Sequence, residues 1–243
     1  SMAFILPIEE PWTSQPQVEV GIDWSNPLAR WLSNALGMSG RDLVSGEQWT
    51  LYNGACNPAV TDKGVALDFT GAGFFSAPFV VPNAYTVTIA ALVNPSANGF
   101  VLSLSKTGGY DHCAIFFDSA NGYLAYLRDG GGTTHGYSET GQSRVNKWAV
   151  VILSMDQQYD GGSSPSFARF WIDGVLVWSG NWTWGAVAPD RKSVGATVYM
   201  FGGLPSGSGL VTAKIISPRI FRGYFSDVDA KSLTDKYWQI FAP

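Results

Sequence analysis

Charge, cysteine and histidine are all scarce in this chain. Lys and Arg number 15 and Asp and Glu 19 among 243 residues, for a formal net charge of −4. No basic face is present to neutralise phosphates, so nucleic acid is excluded as a partner and an anionic membrane surface is disfavoured. No apolar run approaches the roughly 18–20 residues of a membrane span. Cys56 and Cys113, and His112 and His135, stand too far apart for zinc-type ligand spacing. Two free thiols are the expectation, with a Cys56–Cys113 disulfide left open because spacing does not fix separation. The opening AFILPIEEP has no basic n-region and only a short apolar run, so no signal peptide is expected. Ser1 ahead of Met2 reads as the remnant of a cleaved tag.

What is abundant points to β-structure. The chain is 46% hydrophobic, with 28 Gly and 13 Pro but no repeat, a balance that suits many short strands joined by turns. Strands are predicted at about 48–54, 64–69, 73–79, 85–94, 99–105, 112–118, 122–128, 147–156, 166–173, 175–179, 197–202 and 211–222, punctuated by turn pairs such as Asn121-Gly122 and Asp173-Gly174. No helical inserts separate them, which favours a sandwich over a βαβ sheet. Residues 25–37, SNPLARWLSNALG, are locally a tie between helix and strand. One helix signal is clear: Ser226 caps it, Asp229 completes an acidic capping box, and Ala230, Leu233 and Tyr237 share a face.

Four segments in order carry a resemblance to a known family. KGVALDFTGAGFFSAP (63–78), YTVTIAALVNP (85–95), NKWAVVILSMD with ARFWIDGVLV (146–156, 168–177) and the closing VYMFGGLPSGSGLVTAKIISPRIFRGYFSDVDAKSL (198–233) resemble the laminin G-like and pentraxin-like domains of the concanavalin A-like lectin/glucanase superfamily. Leu92 departs from the Trp of many members. PWTSQPQVEVGIDWSNPLAR (11–30), RDLVSG (41–46) and the tail YWQIFAP resemble a subgroup encoded by bacteriophages and prophages. The resemblance implies an all-β, two-sheet antiparallel jelly-roll sandwich with a short C-terminal helix, and it resolves 30–36 as strand. It also implies synthesis in a bacterial cytoplasm, assembly into a phage particle, and a concave face or rim loops that bind carbohydrate. The expected organisation is an extended arm (1–24), one jelly-roll domain (25–235) and a hydrophobic tail (236–243) that docks on the domain or on a partner.

Catalytic groups are missing. Glycosidases that resemble this family carry a Glu-x-Asp-x-Glu strand, whose spacing puts the carboxylates on one face. The nearest run here, Glu19 to Asp23, lacks the middle acid, while Asp227 and Asp229 suit a helix start and Asp156 and Asp160 a loop. Ser206 and Ser208 lack the glycines of a nucleophile elbow. Some relatives hold a rim calcium. Asp111, Asp118, Asn121, Asp129 and Asp160 are loop-placed candidates without a calcium-loop spacing, so turn formation is favoured for them and no cofactor is expected.

The candidates for ligand binding are aromatic and basic. In 166–173, Phe170 and Ile172 form the core face, leaving Arg169 and Trp171 outward; in 122–128, Ala125 and Leu127 do the same for Tyr126 and Arg128. An aromatic ring beside a guanidinium would hold a sugar by stacking and by fixed donors. Trp178, Trp182 and Trp184 crowd into one predicted loop, and His135 and Tyr137 lie in another, RDGGGTTHGYSETGQS, read as a mobile rim. A non-catalytic carbohydrate-binding module of a phage particle is the leading reading. A virion scaffold docked to other virion proteins is the alternative, and a glycosidase a distant third.

Overall fold

A computed structural model describes residues 21–36, 41–52, 56–71, 73–77, 86–106, 112–128, 134–156, 166–182, 197–203, 209–238 and 241–242. Chain order begins with β1 (Gly21–Ile22), a 3-10 turn (Ala29–Trp31), β2 (Leu32–Ala35), β3 (Thr50–Tyr52), β4 (Cys56–Thr61), β5 (Gly64–Thr70) and β6 (Phe74–Ala77). It continues with β7 (Thr86–Ala97), β8 (Gly99–Lys106), β9 (His112–Asp118), β10 (Gly122–Arg128) and β11 (Thr134–Ser138). β12 (Ala149–Asp156), β13 (Ser166–Ile172), β14 (Val175–Trp182), β15 (Thr197–Phe201) and β16 (Thr212–Phe221) follow, then α1 (Asp227–Asp235) and β17 (Phe241–Ala242).

Fifteen of these strands build two antiparallel sheets, and β1 pairs with β17 in a separate two-stranded ribbon. The front sheet has seven strands in the order β11-β10-β9-β8-β15-β6-β3; the back sheet has eight, β14-β13-β12-β7-β16-β5-β4 with β2 added on β16. The fold is therefore the expected all-β two-sheet sandwich with a short C-terminal helix. Local chemistry accounts for much of the register. Asp173 and Gly174, at φ 52° and 75°, form the tight turn between β13 and β14, the backbone twist that a two-residue hairpin requires. α1 starts on the expected capping box, with Ser226 Oγ accepting from Asp229 N and the Asp229 carboxylate accepting from Ser226 N.

Three differences from expectation have identifiable causes. β4 escapes sequence reading because Pro58 interrupts it, yet β4 is an edge strand, where a missing donor costs little. β11 occupies part of the predicted mobile rim: its Gly136, at φ 149°, lies so close to the Ala125 carbonyl that a Cβ would overlap it. β14 runs on to Trp182 instead of stopping at 179, still paired with β13. In 25–37, the 3-10 turn gives way to β2, which agrees with the strand reading.

Two hydrophobic layers flank the back sheet. The first lies between the sheets and gathers Phe69, Ile89, Val93, Val101, Ile115, Phe117, Tyr123, Val151, Leu153 and Phe170. The second lies on the back sheet's outer face, where Ala90, Leu92, Val150, Ile152, Trp171 and Ile216 pack against Ala29, Leu32, Phe225, Ala230, Leu233, Tyr237 and Trp238. A bulge in β16 at Ser217-Pro218 leaves a gap in this sheet's ladder. The Tyr237 hydroxyl fills it, accepting from Leu92 N at 3.1 Å and donating to the Ser217 carbonyl at 2.7 Å. Arg219 is buried beside it, with its guanidinium 4.0 Å from the Tyr237 ring centre.

Candidate functional site

The sheet register gathers strand termini that are remote in sequence. Ala77, Thr86, Lys106, His112, Arg128, Thr134, Asp156, Ser166, Trp182 and Thr197 all stand at one end of the sandwich, as the pairs Lys106↔Thr197, His112↔Arg128↔Thr134, Thr86↔Asp156 and Ser166↔Trp182 require. The opposite end is marked by the Asp173-Gly174 turn and by a polar clamp between the sheets. There the buried Glu139 carboxylate accepts from Tyr123 N and from Arg144 Nε, and Arg144 reaches Asp173 at 3.4 Å. Five strand connections therefore leave and re-enter at the first end, where loops on a rigid scaffold can meet a ligand.

The predicted site residues divide by face. Tyr126 lies on the outer face of the front sheet, half-buried, with its ring edge-on to Phe100 at 5.9 Å; Phe100 is edge-on to Phe116 at 4.9 Å. Ala125 and Leu127 face the inter-sheet core, as alternation predicts. Arg128 follows two positions after Tyr126 at the loop-bearing end, in register with His112 and Thr134. His135 is paired with Leu127 and Trp182 with Ser166. Trp184, Asp111, Asp129 and Asp160 lie outside the described residues.

Two candidates are corrected. Trp171 does lie on the face away from Phe170 and Ile172, but that face is covered. Trp171 is 0% exposed, and its indole Nε1 donates to the Asp227 carboxylate at 2.9 Å. It is a packing residue under the C-terminal segment and not a stacking platform. Tyr137 turns its ring toward the inter-sheet core, 6.1 Å from the Phe170 ring, and so staples β11 in place. Tyr126 and Arg169 belong to different sheets and to opposite outer faces, so the two strands do not share one surface. A signal for this was present: β7 and β12 carry apolar residues at both parities, the mark of strands buried on both sides.

Arg169 remains partly exposed at 35% of its side chain, 3.9 Å from Asp227 and with its guanidinium 5.6 Å from the Tyr224 ring centre. Tyr224 escaped sequence reading because it sits in the turn before α1, where no strand period applies. Trp178 packs half-buried against the inter-sheet core.

The ionisable groups describe structure more than catalysis. The two buried carboxylates among the described residues are both satisfied: Asp42 by Val44 N, Ser45 N and Trp49 Nε1, and Glu139 by the clamp. Asp118 accepts from Ala120 N and Asn121 N, the turn role favoured over calcium ligation. Among the described residues, no group of three or more His, Cys, Asp or Glu could hold a metal ion. Cys56 is a free thiol, pushed up to about 12 by burial and by the nearby Asp68. No helix among the described residues is long and apolar enough to cross a membrane.

No protein-family model matches the chain, and no curated protein sequence is significantly similar to it. Solved structures do share its fold. The binding domain of Paraclostridial Mosquitocidal Protein 1 superimposes with a TM-score of 0.61 at 10% identity, over 87% of this chain and 56% of that one. The botulinum neurotoxin type G receptor binding domain gives 0.59 at 13% identity, over 84% and 50%. Domain 4 of AbnA, a GH43 extracellular arabinanase from Geobacillus stearothermophilus solved with arabinotriose, gives 0.57 at 15% identity, over 84% and 98%. The chain thus spans about half of each of the first two domains and nearly all of the arabinanase domain. What these similarities define is the fold, an antiparallel β-sandwich that the chain shares with these domains.

Proposed function

We propose that this protein is a non-catalytic carbohydrate-binding module, carried by a phage or prophage particle, whose ligand contacts the loop-bearing end and the adjoining front face. The observation that carries this reading is that Arg128, His135 and Trp182 stand at or beside strand ends on this one end of the sandwich, two in one hairpin and the third on a strand remote in sequence, with Tyr126 on the outer face of β10 two positions from its end. Trp184, in the 183–196 connection, stays a candidate by sequence alone. An aromatic ring offers its face to the apolar side of a sugar, and Arg offers fixed donors to its hydroxyls. The co-crystallised sugar of the arabinanase domain makes arabinotriose a reasonable first probe.

The test is a glycan-array screen that includes arabino-oligosaccharides, run with Tyr126→Ala and Trp182→Ala beside the unaltered protein. Binding by the unaltered protein and its loss in either variant supports the reading. Silence across the array, together with recovery of the protein as a stoichiometric virion component, would replace it with the scaffold role. One observation favours that second reading: the β3 and β4 edges expose Leu51, Tyr52 and Val60, the last at 88%. The hydrophobic tail does not add to it, because Tyr237 and Trp238 are buried in their own domain.

A further inference from the structure

The second hydrophobic layer ends abruptly on the back face, and what lies beyond it is neither apolar nor simply charged. Past Trp171 and Phe225, toward the loop-bearing end, stand Asp156, Phe167, Arg169, Tyr224 and Asp227. The register places Arg169 opposite Ser154 and Phe167 opposite Asp156, so these groups occupy neighbouring rows of one sheet face. Phe167 is 36% exposed. Arg169 stands over the Tyr224 ring and near Asp227. Tyr224 senses all three charges: burial pushes its hydroxyl up, Arg169 pulls it down, and Asp156 and Asp227 push it up again.

Two of these residues, Tyr224 and Asp227, are held by groups that have no need to be polar for packing alone. Thr88 and Ser154 form a buried hydroxyl pair at 2.7 Å on the central strands. Thr88 Oγ1 also donates to the Gly223 carbonyl at 2.6 Å, and Ser154 Oγ accepts from Phe225 N at 2.8 Å. Tyr224 is therefore pinned on both sides by the same buried pair. Asp227 is fixed by the Trp171 indole at 2.9 Å. Binding groups locked in this way by buried hydrogen bonds on rigid strands are what recognition requires, since little order remains to be imposed when a ligand arrives.

We infer that this ledge of Phe167, Arg169, Tyr224, Asp156 and Asp227 is a second ligand site, on the face opposite Tyr126, that accepts a neutral saccharide. One guanidinium between two carboxylates leaves the ledge with an excess of negative charge, which disfavours an anionic ligand. Arg supplies donors, the exposed Asp227 carboxylate supplies an acceptor, and hydroxyl groups need both. Phe167 supplies an apolar surface for the carbon face of the ring. Two sites on opposite faces would let one chain bridge two glycan strands or bind a dense glycan surface with avidity. The ledge rests on the carbohydrate reading for its ligand class only, and its residues are not those of the front site.

The experiment follows amide and indole NMR signals of the whole chain on adding arabinotriose, maltotriose, cellotriose or trigalacturonate at millimolar concentration. The Trp171 indole N–H reports on the ledge through Asp227, and the Tyr126 amide reports on the front face. A neutral trisaccharide is expected to shift the Trp171 indole signal, and Arg169→Ala or Tyr224→Ala to weaken that response about tenfold. Tyr126→Ala should leave it unchanged. Thermal melts of the variants separate lost binding from lost folding, and Asp156→Asn serves as a milder third variant. A ledge response without a front response would support the ledge and overturn the front site. A front response without any Trp171 shift would do the reverse. Silence at both reporters, or a stronger response to trigalacturonate than to the neutral sugars, would overturn the ledge.

Discussion

The two outer faces of this sandwich start from similar sequence and end in different roles. On the front sheet, β10 presents Tyr126 outward, half-buried, while Ala125 and Leu127 fill the core. On the back sheet, β13 presents Trp171 outward in the same sense while Phe170 and Ile172 fill the core, and Trp171 is completely buried. The difference lies in what arrives afterwards. Residues 22–35, Val44 and 225–238 converge on the back face and supply a second apolar layer; none of the residues of that layer comes from the front sheet. Burial of a ring, then, is a statement about non-local chain segments and not about the strand that carries it.

Substitutions at matched positions test this contrast. Trp171→Ala should have the largest effect, because it opens a cavity under α1 and leaves Asp227 without its indole donor. A loss of about 3–5 kcal/mol is expected, read as a fall in the urea midpoint without a change in slope. A loss below about 1 kcal/mol would mean that the back layer is not a packed core. Tyr237→Phe should cost about 1–3 kcal/mol, since the buried Leu92 N–H and the carbonyls at the β16 bulge lose their partner. Hydrogen exchange at Leu92 should accelerate with it.

Tyr126→Ala should be milder for stability, about 1 kcal/mol from the lost edge contact with Phe100. It should act on glycan binding instead, and an equal loss of stability at positions 126 and 171 would dissolve the contrast between the faces. The smallest effect concerns Cys56. Its folded thiol is raised from 9.0 to about 12, so the unfolded chain gives up this proton first as pH rises. The thiol's contribution is complete below about pH 9, declines between 9 and 12, and is gone above. Cys56→Ser should flatten that part of a stability-against-pH curve, and a Cys56 that reacts with a thiol reagent at pH 8 as fast as a free thiol would contradict the burial.

Much of this was legible before any coordinates. Period-two alternation placed Phe170 and Ala125 inward and Tyr126 and Trp171 outward, and each of those faces is correct. The Asp173-Gly174 turn and the Ser226–Asp229 capping box are local chemistry, and they were legible for that reason. β4 was hidden by Pro58 and β11 by Gly136, residues that weaken a strand signal without preventing an edge strand. The site was less legible than the fold. Tyr224 lies in a turn without periodicity, and alternation gives the two faces of a strand but not which sheet it joins, so it did not separate Tyr126 from Arg169.

The sequence by itself determined most of the strands, their inward and outward residues, the tight turns and the helix cap, because each depends on interactions within a few residues or on the two-residue repeat of a strand. Only the tertiary structure decided which sheet each strand joined, that one outer face would acquire a second apolar layer, and that Trp171 would lie beneath it while Arg169 stayed partly in water. Those outcomes depend on contacts between segments more than fifty residues apart, such as Trp171 with Asp227 and Leu92 with Tyr237. No local pattern in the chain encodes such a contact.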